Sequence, residues 1–257
     1  MRSFRSLRPV SFRRAVRALG MLLLAGVPLL AVAQRFRGGG RVYIEPNVPY
    51  DGRFTFARIR YEVYRRSGWE FDYPTMERHL MTMMDEVTTL KPHMRGSNIH
   101  TLDDPELLKY PIAYLSEPGG WYPSESEAEG LRTYLEKGGF LIVDDFMLND
   151  WQVFDRGIRL ALPDARIERL TVRHPIYDSF FRVDTLDLHH PQAQYLEAEF
   201  LGIHEDNDPG KRLMVVINYN TDIGDFMEHS DEDFWPVNTT NNAYKLAINY
   251  LIYGLTH

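Results

Sequence analysis

The residues most able to do chemistry in this sequence are carboxylates. The stretch GGFLIVDDF, Gly138 to Phe146, carries an apolar run straight into Asp144 and Asp145. Paired acids at the end of a buried strand have three uses. They accept backbone N–H bonds from the following loop or cap the next helix. They bind a hard cation through oxygen. Or they act as general acid and base, because mutual repulsion raises one pKa. Successive strand side chains point to opposite faces, so the two carboxylates converge only if the strand has already ended. Glu117, after the apolar run IAYLS, is a third candidate, and Asp222 and Asp225 follow LMVVIN. NYNTDIGD, Asn218 to Asp225, alternates oxygen ligands as a calcium loop does. Its glycine, Gly224, is one place late, and the twelfth position is His229, so it is no EF-hand. A loose calcium site and a loop rich in Asx turns both remain open.

Arg58 and Arg60 lie two apart, which puts both on one side of a regular strand. A buried arginine requires an acid; Asp72, Glu117, Asp144 and Asp145 are the nearest by topology. Such a network is either structural or a clamp for an anionic ligand. Among the histidines, His189 and His190 are adjacent and cannot easily face one ion from a strand. His174 precedes Pro175, which suggests an ordered turn. His174, His189, His190 and His204 are free to converge from loops, but no zinc spacing such as H-E-x-x-H is present. No resident cofactor is expected; a divalent cation is compatible with the acids.

Several chemistries are excluded. There is no cysteine, hence no thiol nucleophile, thiolate metal site or disulfide. Ser116 follows a strand, but YLSEPGG matches G-x-S-x-G poorly. Neither phosphate-binding glycine loop occurs. A receiver-type phosphorylation site would need a lysine ending a later strand, where LMVVIN ends in Asn218.

The elements that must position these residues are readable. Val42 to Ile44 suggests a short edge strand, and FTFARIRY, Phe54 to Tyr61, a fuller one. Met76, Leu80, Met83, Met84 and Val87 share one helical face, with Asp72 as N-cap. Ile112 to Ser116 is a strand. PSESEAEGLRTYLEKGG is a helix with a Ser124–Glu127 capping box, a stripe of Ala128, Leu131, Tyr134 and Leu135, and a stop at Gly138. Phe140 to Asp144 is the next strand and Asn149 to Leu162 a helix. A weaker strand covers Ala165 to Val172, and His174 to Leu188 is irregular. Leu213 to Asn218 is another continuous apolar strand, and a helix from Asn241 to Gly254 closes the chain. Unbroken apolar strands alternating with helices imply a parallel sheet between two helical layers, a three-layer αβα sandwich. Ligands in such sheets bind beyond the carboxyl ends of the strands.

The first 33 residues read as a secretory signal peptide. Arginines 2, 5, 8, 13, 14 and 17 precede an apolar stretch from Leu19 to Ala33 that ends in Ala31-Val32-Ala33. That stretch is short for a bilayer core, which takes about 20 residues, though an uncleaved anchor is the alternative. Arg13-Arg14 also allows twin-arginine export. Residues 34–40, with RFRGGG, form a flexible tether, and 41–257 a single domain. Six of the 29 basic residues and none of the 36 acids lie in the leader, so cleavage takes the net charge from −7 to −13. An acidic chain offers nothing to nucleic acid or anionic lipid, and the membrane is met only through the leader during export. The expected location is the periplasm or the medium.

Six separated blocks then carry a resemblance: FTFARIRY, WEFDYPT, LRTYLEKGGFLIVDDF, HPIYDSFF, KRLMVVIN with DIGDF, and INYLIYGLTH. Together they resemble a bacterial family catalogued as domain of unknown function 4159. The resemblance implies a flavodoxin-like sheet related to class I glutamine amidotransferase-like domains. It implies no activity, and glutamine amidotransfer itself needs the cysteine that this chain lacks. The expectation is an exported envelope protein acting as a non-catalytic binding or interaction module for an envelope protein or small ligand. The alternative is a hydrolase, metal-assisted or carboxylate-dependent, acting on a carbohydrate or other envelope compound through Asp144, Asp145 and Glu117. Arg58, Arg60, Asp72, Asp222, Asp225 and His174 are the binding candidates.

Overall fold

The strands expected to be covered on both faces are covered on both faces. The structure is a computed structural model that describes residues 43–63, 68–94 and 97–257. The leader, the tether and Val42 lie outside the described residues. Residues 44–257 form one compact unit. In chain order its elements are β1 (Ala57–Ile59), α1 (Thr75–Val87), β2 (Asn98–His100), β3 (Ile112–Ser116), α2 (Glu125–Glu136), β4 (Phe140–Asp144), α3 (Asp150–Ala161), β5 (Glu168–Arg169), β6 (His189–His190), β7 (Ala193–Glu197), β8 (Glu199–His204), β9 (Leu213–Tyr219), α4 (Ile223–Glu228) and α5 (Val237–Thr256).

Seven strands form the central sheet in the order β2-β1-β3-β4-β9-β8-β5. The pairs from β2 through β9 are parallel. β8 runs antiparallel to both β9 and β5. Alternate residues of each central strand feed opposite cores. Tyr114, Ile142 and Val216 pack with Met76, Leu80 and Met84 of α1 and with Leu246 and Tyr250 of α5. Leu115, Val143 and Val215 pack with Leu131 and Leu135 of α2 and with Phe154 and Ile158 of α3. The result is a three-layer α/β sandwich with a mostly parallel sheet. No helix among the described residues is long and apolar enough to cross a membrane.

The α2 capping box forms as its spacing requires: Ser124 accepts from the Glu127 N–H, and Glu127 accepts from the Ser124 N–H. Gly138 takes φ 101° after α2, a left-handed turn that suits glycine. Other expectations need correcting. Tyr43 and Ile44 lie in no strand, and β1 keeps only three of the eight residues of FTFARIRY. In α1, Met81 rather than Met83 is fully buried, and Val87 is exposed. Asp72 does not cap α1; Pro74 holds the cap position and no side chain bonds there. The strand expected over Ala165 to Val172 is two residues long. Residues 189–204 hold a β6–β7 hairpin and the antiparallel β8, and DIGDF folds into the short helix α4.

Candidate functional site

The carboxyl ends of β1, β3, β4 and β9 share one edge of the sheet, and acids stand just beyond each of them. Asp144 ends β4 on the face of Ile142. Its carboxylate accepts from Tyr114 Oη at 2.8 Å, Asn218 Nδ2 at 3.0 Å, and the N–H groups of Ile223 and Gly224 at 3.1 and 3.0 Å. Tyr250 in turn donates to Asn218 Oδ1 at 3.0 Å. One buried carboxylate therefore ties β3, β9 and α4 to β4. Burial outweighs these bonds and raises its pKa. Asp144 helps line a small, partly open cavity of about 10 Å³, together with Tyr114, Asn218 and Tyr250 among apolar side chains, about the room one water needs. Asp144 is thus consumed by structure.

Asp145 is different. The strand has ended, and φ of 61° turns the backbone left-handed, so the adjacent carboxylates stay electrostatically close, as the sequence argument required. Asp145 hydrogen-bonds Asp222, and burial, then the charge of Asp144, pushes its pKa up to about 7. Ligand atoms of Asp145, Asp222 and His190 all lie within 4.8 Å of one another. The three residues are 8 %, 2 % and 2 % exposed. Asp222 also caps α4 by accepting the Asp225 N–H at 2.8 Å. Its pKa is raised well above the usual carboxylate range by burial, then by Asp145 and Asp72. Asp72, at φ 62°, is raised likewise by burial, then by Asp145 and Glu228, and its Oδ2 is buried without a hydrogen-bond partner.

Two carboxylate oxygens and an imidazole would suit a borderline divalent metal by distance. The histidine argues against it. His190 Nδ1 accepts the Gln192 N–H at 3.1 Å, which places the neutral ring's proton on Nε2. Neither nitrogen then offers a free lone pair.

The remaining candidates separate. Glu117 stands at φ 51° after β3, and its carbonyl accepts from Tyr61 Oη at 2.6 Å. Its charge adds to the burial that raises Tyr61. Arg58 is fully buried and donates to Glu77 at 2.5 Å and to the carbonyls of Trp69 and Phe71 at 2.7 and 2.9 Å. Its hydrogen-bonded acid is Glu77 of α1, which the topology did not suggest; of the expected acids, Asp72 acts on it through charge. Arg60 does not share that face; β1 ends at Ile59 and Arg60 is exposed. Asp225 lies in α4, in charge contact with Asp72, Asp145 and Asp222. His174 pairs with His204, Nε2 to Nε2 at 3.2 Å, apart from the acids, and His189 is exposed. His190 is the residue that sequence reasoning set aside. It arrives from a hairpin 45 residues after Asp145, and the only hint was His190-Pro191, the same His-Pro pair as His174-Pro175. In both, Nδ1 accepts the N–H two residues on.

A second cleft, of about 690 Å³, lies along α3 and β5 between Trp151, Arg159, Arg166 and Glu168, and contains none of these acids. In comparisons with known proteins, residues 55–255 match the family model described as Domain of unknown function (DUF4159). No curated protein matches the chain.

Proposed function

We propose, for a chain that belongs to the DUF4159 family, a carboxylate-dependent hydrolytic function centred on Asp145 and Asp222. The observation that carries it is the close approach of the two buried carboxylates, whose ligand atoms lie within 4.8 Å of each other, with Asp145 at about 7 and Asp222 well above the usual range. Two acids whose environments push their pKa values apart divide the roles. Ionised Asp145 takes a proton from water as the water oxygen bonds to the substrate carbon. Protonated Asp222 gives its proton to the leaving oxygen as the old bond breaks. His190 stands beside the pair, with a ring nitrogen within 4.8 Å of both carboxylates. A net charge of −13 after leader removal disfavours anionic substrates. A neutral carbohydrate or another uncharged envelope compound fits, and the arginine-led leader supports export to the periplasm or medium.

The test is hydrolysis of a panel of chromogenic glycosides and esters by the purified chain. Asp145→Asn and Asp222→Asn should each abolish turnover, Arg60→Ala should not, and the rate should follow a group titrating near pH 7. Turnover unaffected by both Asn variants would overturn the assignment. The second reading, a non-catalytic binding module, is favoured by the near-complete burial of Asp222 and His190. Under it, no panel member is hydrolysed, while a bound ligand at 100 times its Kd adds about 2.7 kcal/mol of stability.

A further inference from the structure

A different group of side chains, toward the C-terminal end of α4, has what the buried cluster lacks. Asp225, Glu228 and His229 present ligand atoms all within 4.8 Å of one another. They fall at i, i+3 and i+4, so one helical face presents them together. His229 Nε2 stands 3.6 Å from Asp225 Oδ1 and 3.4 Å from Glu228 Oε2. Two ligands bonded to one tetrahedral ion at about 2.0–2.2 Å sit roughly 3.3–3.5 Å apart. The other ring nitrogen settles the tautomer. His229 Nδ1 lies 3.1 Å from Glu232 Oε2, and a carboxylate only accepts, so Nδ1 carries the proton. Nε2 is the ring atom that faces the other two carboxylates, and a metal ion bound there takes the place of any proton on it. That is the arrangement in which an outer carboxylate orients a metal-bound imidazole.

We infer that Asp225, Glu228 and His229 form a binding site for a divalent transition metal such as Zn²⁺, with Glu232 orienting the imidazole. Three protein ligands leave a fourth position for water or an oxygen ligand. The half-exposed side chains and the exposed ring of Phe234, 5.4 Å from the His229 ring, place that position at the surface. The site shares no ligand with Asp145, Asp222 and His190, so it stands or falls separately from the hydrolytic reading.

Calorimetric titration of the metal-free chain with Zn²⁺ tests it, with Co²⁺ absorption as a second readout. One ion should bind per chain, and bound Co²⁺ should show the intense visible bands of a four-coordinate site. His229→Ala and Glu228→Gln should each weaken binding at least tenfold. Glu232→Gln should weaken it 10–100-fold, the usual effect of removing an outer-sphere partner. His190→Ala should leave it unchanged. No binding of either ion at millimolar concentration would overturn the inference. So would full affinity in both His229→Ala and Glu228→Gln, or loss of binding in His190→Ala alone.

Discussion

Replacing Asp145 with asparagine should make the protein more stable at pH 8 and leave it almost unchanged near pH 4. In the folded chain the Asp145 pKa is about 7, against an ordinary value of 3.8. The folded state therefore binds the proton more tightly than the unfolded state does. Stability from this group is fully present below pH 4 and is lost as pH rises through 7. A shift of about three units at about 1.4 kcal/mol each gives a penalty of ~4 kcal/mol above pH 7. Asparagine keeps the shape and removes the charge, so it recovers most of that, less the hydrogen bond to Asp222. A net gain of ~2–4 kcal/mol at pH 8 is expected, shrinking steadily toward zero at pH 4. Urea unfolding midpoints from pH 4 to 8.5, taken on both proteins with a chelator present, measure the difference directly. A difference that is flat with pH, or an Asn variant weaker than the parent at pH 8, would show that Asp145 is not held at high pKa by its neighbours.

Asp144→Ala should cost ~3–5 kcal/mol at neutral pH, because Tyr114, Asn218 and two N–H groups of α4 lose a buried acceptor; chemical unfolding reads this. Arg58→Met should cost at least ~3 kcal/mol, since Glu77 is left buried and unpaired, and the double variant Arg58→Met with Glu77→Gln should recover much of it. On the acid side, burial, then the charge of His204, lowers the His174 pKa to about 4 from 6.5. The unfolded chain then binds the extra proton between those values, so stability falls as pH drops from 6.5 to 4. For a half-exposed ring, solvent screening reduces the effect to ~1 kcal/mol, and His174→Gln should flatten that limb.

Where local signals were strong, the sequence and the fold agree closely. β3 and β4 end on the residues expected, because unbroken apolar runs meet turn residues there. α2 begins on its capping box for the same reason. Where position is set by partners distant in the chain, the sequence is silent. β2 is three residues long, too short for any periodicity to show, and is held by β1. DIGDF reads as a polar loop, yet it is helical because Asp144, about 80 residues earlier, binds its first N–H groups. Glu77 carried no signal in the sequence, because the arginine it pairs with lies in another element. Asp144 and Asp145 were visible as a pair, but their division of labour was not. It follows from a single left-handed residue that sends one carboxylate down to the helix and the other outward to Asp222.

That turn has company. Asp72, Glu117, Asp145 and Asn220, beyond the ends of β1, β3, β4 and β9, all take φ between 51° and 62°. For an L-residue this conformation costs roughly 1–2 kcal/mol, a penalty that glycine escapes. Three of the four positions are carboxylic acids, and at Glu117 even the short-side-chain relief open to aspartate and asparagine is missing. A chain designed for rigidity alone would place glycine at such corners. This chain instead places side chains at all four, and the bends that end the strands also set where three carboxyl groups stand along the rim.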